Sequence, residues 1–184
     1  MAVTAEYLLP KHDGDWTVED VLALPDDPSQ RVELVDGSLL VSPLGTNYHQ
    51  TLIGDAYFAL RTACPPGFKA TVELNIGLPG DTLLIPDFTV TTRPGFKGLV
   101  SPVEDLVLVG EVVSPSTRFK DYGIKRQRYA EGGVPFYLVV DPKGDQAVAM
   151  LFELEGGEYV EVARSEAGVL RFERPFPVTI ELSA

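Results

Sequence analysis

The chain is poor in cysteine and in long apolar runs, and each shortage excludes a class of protein. Cys64 is the one cysteine in 184 residues, so an internal disulfide is excluded and a reducing, cytoplasmic setting is expected. Charged residues interrupt every apolar run, which excludes a membrane-spanning helix. The first fifteen residues lack a basic segment followed by an apolar stretch, so no secretory signal is expected.

Positive charge is also scarce. Fifteen Lys and Arg stand against 27 Asp and Glu, for a formal net charge of −12. This balance argues against a protein that coats nucleic acid by charge alone, but not against an enzyme that holds a cation between carboxylates and a phosphate. Five basic residues lie close together in the sequence, and on charge alone they indicate a solvated helix face: Arg118, Lys120, Lys125, Arg126 and Arg128.

The length and composition are those of one globular domain spanning residues 1–184, with 45% apolar and 23% charged residues and no internal repeat. A capping-box pattern at Thr17 and Asp20 predicts the start of a first helix, which Pro25–Pro28 ends. Asp36-Gly37 between two β-rich runs predicts a hairpin.

The rest of the chain predicts a mixed order of strands and helices. Apolar residues at helical spacing predict a helix over Asn47–Ala63, with Asn47 as N-cap. The other predicted elements are strands at Lys69–Leu78, Leu83–Thr91, Asp105–Val113 and Phe136–Val140, and a helix from Arg118 to Glu131 that stops at Gly132-Gly133. The tail alternates like antiparallel strands around Gly156-Gly157 and residues 166–168. This order predicts an α/β or α+β mixed sheet with flanking helices.

Two carboxylates stand out within apolar runs. Asp87 follows Pro86 in the run Leu83–Val90, and a proline confines a strand to an edge or a bulge. Taken alone, Asp87 fits a turn better than a site. Glu111 lies inside the run Leu106–Val113, which is typical of a strand buried on both faces. A buried carboxylate is paired or binds a metal, and burial slightly favours a metal ligand here over a structural ion pair.

A lysine follows on the next predicted helix. Asp121, Lys125 and Tyr129 are four residues apart and share a helix face. Either Asp121 and Lys125 form a surface pair, or Lys125 reaches over the sheet toward Glu111. Two carboxylates that hold a divalent cation, with a lysine near the attacking water, form an arrangement suited to phosphodiester hydrolysis.

Pro86-Asp87, followed by Glu111 after an apolar run, resembles the PD-(D/E)xK nuclease superfamily. The whole pattern more closely resembles the Uma-two family of restriction endonucleases. The matching segments are Val32–Gly37, His49-Gln50, Pro86–Val90, Glu111–Thr117, the series Asp121, Lys125 and Tyr129, and Gly133–Asp141.

The resemblance implies a restriction-endonuclease-like core, Mg²⁺ dependence with Mn²⁺ as a possible substitute, and DNA as substrate. It assigns the metal ligands to Asp87 and Glu111. The superfamily lysine usually lies two residues after the acid, where this chain has Val113. The catalytic lysine is therefore expected at Lys125, on the next helix.

Three more residues are candidates for the site. Glu33 fits an edge-strand salt bridge as well as a further acid at the metal. His49 lies on the inward face of its predicted helix, as a hydrogen-bonded core histidine or as a contact to phosphate or water. Gln50 is a second substrate-binding candidate beside it.

These residues predict a Mg²⁺-dependent DNA endonuclease that acts as a homodimer and has no membrane segment. The alternatives are a catalytically silent nuclease-fold binding protein, which the net charge favours, and hydrolysis of a non-nucleic phosphate ester.

Overall fold

The structure is a computed structural model that describes residues 10–25, 29–43, 45–114, 120–142 and 146–182, with only the backbone of residues 120–122. The helices are α1 (Val18–Leu22), α2 (Asn47–Ala63) and α3 (Arg126–Glu131), and a π-helical segment, Lys120–Lys125, leads into α3. The first strands are β1 (Gln30–Val35), β2 (Ser38–Pro43), β3 (Lys69–Val72), β4 (Ile76–Leu78), β5 (Thr82–Leu84), β6 (Phe88–Thr91) and β7 (Ser101–Pro102). A 3-10 turn at Val103–Asp105 precedes the remaining strands, which are β8 (Leu106–Val112), β9 (Phe136–Asp141), β10 (Val148–Glu155), β11 (Glu158–Arg164), β12 (Val169–Phe172) and β13 (Val178–Glu181).

The strands form two main sheets and a small third one. The larger sheet has the order β11-β10-β9-β8-β6-β3, with β8 and β9 parallel and the other pairs antiparallel. The second sheet has the order β2-β1-β5-β4-β7, and β12 pairs with β13. This arrangement confirms the predicted α+β fold with a mixed sheet. No helix among the described residues is long and apolar enough to cross a membrane.

Strand β8 is buried on both faces, as its continuous apolar run predicts. On one face Leu108 and Val112 join the core that also contains Leu52 and Leu60 of α2. On the other face Val109 belongs to a core that includes the side chains of α3 and β9. A carboxylate on this strand is therefore carried directly into the interior.

The local predictions hold at several turns and helix ends. Thr17 caps α1 in a capping box with Asp20, and Asp36-Gly37 joins β1 to β2 with both residues at positive φ. Helix α2 spans the predicted residues, but the prediction of Asn47 as its N-cap was wrong. Thr46 caps the helix by accepting a hydrogen bond from the His49 N–H, and Asn47 is the first helical residue.

Two of the predicted strands are each two strands in different sheets. The predicted strand Lys69–Leu78 divides into β3 and β4 around Glu73, whose φ of 48° turns the chain. The predicted strand Leu83–Thr91 divides into β5 and β6 at Pro86-Asp87, where the chain passes from the smaller sheet to the larger one. Hydrophobic runs alone do not distinguish one long strand from two short ones.

The C-terminal half follows the predicted order with one difference. Strands β10 and β11 form the predicted hairpin around Gly156-Gly157. The turn at residues 166–168 is also present, but β12 pairs with β13 and not with β11. The predicted helix Arg118–Glu131 ends as expected before Gly133, whose φ is 75°. Its first two residues, with Pro115–Thr117, lie outside the described residues.

A glycine on β8 allows an aromatic ring to lie across the strand. Gly110 pairs with Phe88 of β6, and a Cβ at Gly110 would stand 1.9 Å from the Phe88 ring. We expect Gly110→Ala to lower the free energy of unfolding by about 1–3 kcal/mol because the buried ring must move. Gly54→Ala is the control, because Gly54 has open space around its Cβ position and lies in α2, where alanine is favourable. Urea denaturation measures both, and equal midpoints for the two variants would contradict the packing argument.

Candidate active site

Asp87 lies in the link between β5 and β6, and its carboxylate is 2% exposed. One oxygen, Oδ2, accepts a hydrogen bond of 2.7 Å from the Val112 N–H on β8. The other, Oδ1, accepts one of 2.7 Å from Nη1 of Arg31 on β1. Asp87 is thus held between the two sheets and is not a surface turn residue.

Glu111 lies on β8, one residue beyond Gly110, which pairs with Phe88 of β6. Because the two strands are antiparallel, this register places Glu111 opposite Asp87. Its Oε1 accepts hydrogen bonds from Nζ of Lys125 at 3.1 Å and from the hydroxyl of Tyr129 at 2.6 Å. Burial, followed by the negative charges of Glu111 and Glu33, raises the pKa of Tyr129 well above its usual value. Tyr129 therefore stays protonated and donates its hydrogen to the carboxylate.

Glu33 comes to the same place from the smaller sheet. Its Oε1 lies 2.9 Å from Nζ of Lys125 and accepts a hydrogen bond of 2.8 Å from the Ile85 N–H. The salt bridge is one of the two predicted alternatives, but its location differs from the prediction. Strand β1 lies between β2 and β5, so it is not an edge strand, and the Glu33 side chain is buried.

Lys125 joins these two acids. It is 2% exposed and its ammonium group contacts Glu33 and Glu111 together. The geometric prediction that Lys125 reaches back to Glu111 is confirmed, and Tyr129, four residues later, shares that face. The side chain of Asp121, the other predicted partner, lies outside the described residues.

His49 lies on the inward face of α2, as predicted. Its Nε2 is 2.8 Å from the Val112 carbonyl oxygen and 3.7 Å from Oδ2 of Asp87. A carbonyl only accepts, so Nε2 donates the hydrogen in this bond. Nδ1 is buried and has no partner among the described atoms, and Gly45 lies against it so closely that a Cβ there would be 2.3 Å away. Gln50, the next residue, is exposed to solvent and is not among the buried residues of the cluster.

Arg31 was missed by the sequence analysis. It donates from Nη1 to Asp87 and to the Ile85 carbonyl oxygen, and from Nη2 to Glu73 at 2.8 Å. Burial lowers the pKa of Arg31, but the charges of Asp87, Glu111 and Glu33 outweigh burial and raise it above its usual value. Arg31 and Glu33 are two residues apart on one strand, and alternate residues of a strand share a face. This spacing was the signal that could have placed Arg31 beside Glu33 at the site.

Among the side chains that the structure describes, the charges of the cluster are close to balanced, with an acidic surplus. Three buried carboxylates, those of Glu33, Asp87 and Glu111, surround two cationic side chains, Arg31 and Lys125. If all five are ionised, one negative charge remains. A buried surplus of negative charge is unfavourable without a further cation or proton.

The oxygen ligands suit a hard divalent cation, but the described side chains are not arranged around one. In the part of the chain that the structure describes, no group of three or more His, Cys, Asp and Glu side chains is placed to hold a metal ion. Lys125 lies between Glu33 and Glu111, and Arg31 lies between Asp87 and the exposed Glu73. The donor chemistry therefore fits Mg²⁺, provided that a basic side chain moves aside.

The structure is thus a mixed α+β fold with buried acids and a lysine between its sheets, and comparison with known proteins gives its class. The Uma2 family profile, described as "Putative restriction endonuclease", matches residues 18–184. The chain belongs to this family. A search of curated proteins returns no significant match.

A solved structure shows the same fold. It is described as a putative nuclease belonging to DUF820 from Anabaena variabilis ATCC 29413. The two chains superpose with a TM-score of 0.64 at 16% sequence identity, over 79% of this chain and 83% of the other. At this level of identity the likeness concerns the fold.

The pairing of Lys125 predicts its effect on stability. We expect Lys125→Met to lower the free energy of unfolding by about 3–5 kcal/mol, because Glu33 and Glu111 would remain buried without their shared cation. Lys97→Met is the control, since Lys97 is exposed and the same change there should alter stability by less than about 0.5 kcal/mol. Chemical denaturation of both variants gives the comparison, and similar values for the two would show that Lys125 does not neutralise the acids.

Proposed function

We propose that this chain is a Mg²⁺-dependent endonuclease that hydrolyses phosphodiester bonds in DNA. The observation that carries the proposal is the convergence of Glu33 and Glu111 on the buried ammonium of Lys125, with Asp87 buried on the neighbouring strand link and hydrogen-bonded to the Val112 N–H, next to Glu111. Membership of the Uma2 family supports the reaction class. The acidic surplus of the cluster supports a cation as the missing component.

In this proposal Asp87 and Glu111 hold the metal, with Mn²⁺ as a possible substitute. When bound, a divalent ion supplies polarisation of the scissile phosphate and acidification of a water. Asp87 is fixed for this role by the Val112 N–H, which orients its carboxylate. Tyr129 orients the carboxylate of Glu111 in the same way.

Lys125 positions the attacking water and stabilises the charge that develops on the phosphate. Glu33 assists by holding the ammonium group through the 2.9 Å contact, so that Lys125 is fixed before substrate arrives. His49, whose Nε2 lies 3.7 Å from Asp87, supplies a second ring nitrogen, Nδ1, for a contact with substrate or water, and Gln50 supplies an exposed amide on the same helix.

A homodimer is part of the proposal, because enzymes that cut both strands of a duplex commonly bring two copies of one site together by two-fold symmetry. Light scattering at working concentration measures the mass. A monomer at all concentrations, with cutting of both strands, would contradict this part.

Plasmid nicking tests the catalytic assignment. We expect Mg²⁺-dependent nicking by the wild type and a loss of about a hundredfold or more in Asp87→Asn and in Glu111→Gln, because each change removes a ligand charge from the metal site. Lys125→Arg keeps a positive charge between the acids, so the variant should remain folded. It should lose activity, because a planar guanidinium does not replace the ammonium group that positions the water.

The matched control is Glu104→Gln, which makes the same chemical change as Glu111→Gln. Glu104 is exposed and lies in the 3-10 turn before the first residue of β8, away from the site. The nicking rate of the control should equal that of the wild type. Equal rates in the wild type and in both site variants would indicate a contaminating nuclease and remove the assignment.

A second function, a catalytically silent nuclease-fold binding protein, is favoured by one observation: Arg31 and Lys125 already occupy the carboxylates. The net charge of −12 points the same way, since DNA repels such a protein. Calorimetry with Mn²⁺ discriminates between the two. A silent protein gives no heat of binding at Asp87, whereas the proposed enzyme gives heat that Asp87→Asn abolishes.

A further inference from the structure

Arg31 has contacts that differ from those of the other buried cation in the site. Its side chain is 18% exposed, and its fork joins the buried Asp87 to Glu73, whose side chain is 52% exposed. Lys125, in contrast, is 2% exposed and contacts two buried acids. Arg31 therefore stands at the solvent edge of the cluster, and Lys125 lies inside it.

This placement decides which cation can leave. Removing Lys125 from its position would leave Glu33 and Glu111 buried without a counter-charge. When Arg31 moves outward it separates from one buried acid, and its other partner, Glu73, already lies in solvent. A guanidinium is also more weakly hydrated than an ammonium, so it tolerates a position between the interior and water.

The same contacts place Arg31 in the way of a metal. Asp87 has one oxygen committed to the Val112 N–H, and the other faces Nη1 of Arg31 at 2.7 Å. A divalent ion on Oδ1 would stand within a few ångströms of the guanidinium charge, and the two cations repel each other strongly in a site with little water.

We propose that Arg31 is an internal competitor of the divalent cation: it neutralises Asp87 in the metal-free protein and moves off that carboxylate when the ion binds. The inference rests on the proposed function, because it takes Asp87 as a metal ligand. It explains how three carboxylates stay buried together without a metal. It also explains why the described acids are not gathered around a vacant metal position.

Titration of the folded protein with Mn²⁺ by calorimetry tests the competition. We expect Arg31→Met to bind Mn²⁺ about tenfold more tightly than the wild type, because a positive charge next to the ion is gone. Without metal, the variant should melt at a lower temperature, because Asp87 is then buried without a counter-charge. Added Mn²⁺ should raise its melting temperature more than it raises that of the wild type.

Arg93→Met is the matched control. Arg93 follows β6, at the end of the strand that is away from Asp87, and it pairs at the surface with Asp105. Arg93→Met and Arg31→Met have the same net charge, because each replaces one arginine by methionine. The affinity of the control for Mn²⁺ and its stability should match the wild type. Equal tightening in both arginine variants would mean that total charge, and not the position of Arg31, sets the affinity, which would overturn the inference.

A second variant applies if Arg31→Met does not fold. Glu73→Gln removes the charge of the exposed partner and leaves Arg31 in place. Because Arg31 is then held less firmly, we expect a smaller tightening of Mn²⁺ binding, with the metal-free stability almost unchanged. Weaker binding in this variant would contradict competition.

Asp87→Asn separates the inference from the proposed function. If Asp87→Asn loses Mn²⁺ binding while Arg31→Met and Glu73→Gln bind with the wild-type affinity or more weakly, the metal site stands and the competition is wrong. If Asp87→Asn binds as the wild type does, the ion lies elsewhere and the proposed site is wrong. Absence of binding in every protein contradicts both.

Discussion

The buried ammonium of Lys125 is the interaction on which the arrangement of the site depends. Glu33 belongs to the smaller sheet and Glu111 to the larger one, and the lysine comes from the helical segment before α3. One side chain therefore ties three parts of the fold together. The charges of Glu33, Glu111 and Lys125 depend on one another, because a buried charge without its partner costs several kcal/mol. Loss of any one of the three would therefore weaken the contact between the sheets at this point.

Asp87 makes a second connection of the same kind. It lies where the chain crosses from one sheet to the other, and it accepts hydrogen bonds from Arg31 of the smaller sheet and from Val112 of the larger one. The joint between the sheets and the candidate active site are thus the same group of residues. Substitutions there affect stability and chemistry together, so the loss of activity in a site variant has to be compared with its loss of stability.

Local chemistry explains what the sequence could predict. The turn at Asp36-Gly37, the extent of α2 and the burial of Glu111 follow from residues close together in the chain. The sequence did not predict that two apolar runs divide into strands of different sheets. The pattern of apolar residues is the same in one long strand as in two short ones. Arg31 was missed because its partners, Asp87 and Glu73, are distant in sequence and meet it only after folding.

The charges of the site link the proposed function to the acidity of the whole chain. A protein with a formal charge of −12 repels a DNA phosphate. Counted over the described side chains, three buried acids against two bases leave the site itself negative by one. Under the proposed function, a divalent ion makes the site positive by one while Arg31 stays beside it, and neutral when Arg31 moves away. The ion would then determine whether a phosphate can enter at all, before any step of hydrolysis. An arginine that competes with the ion would in this way control substrate entry as well as metal affinity.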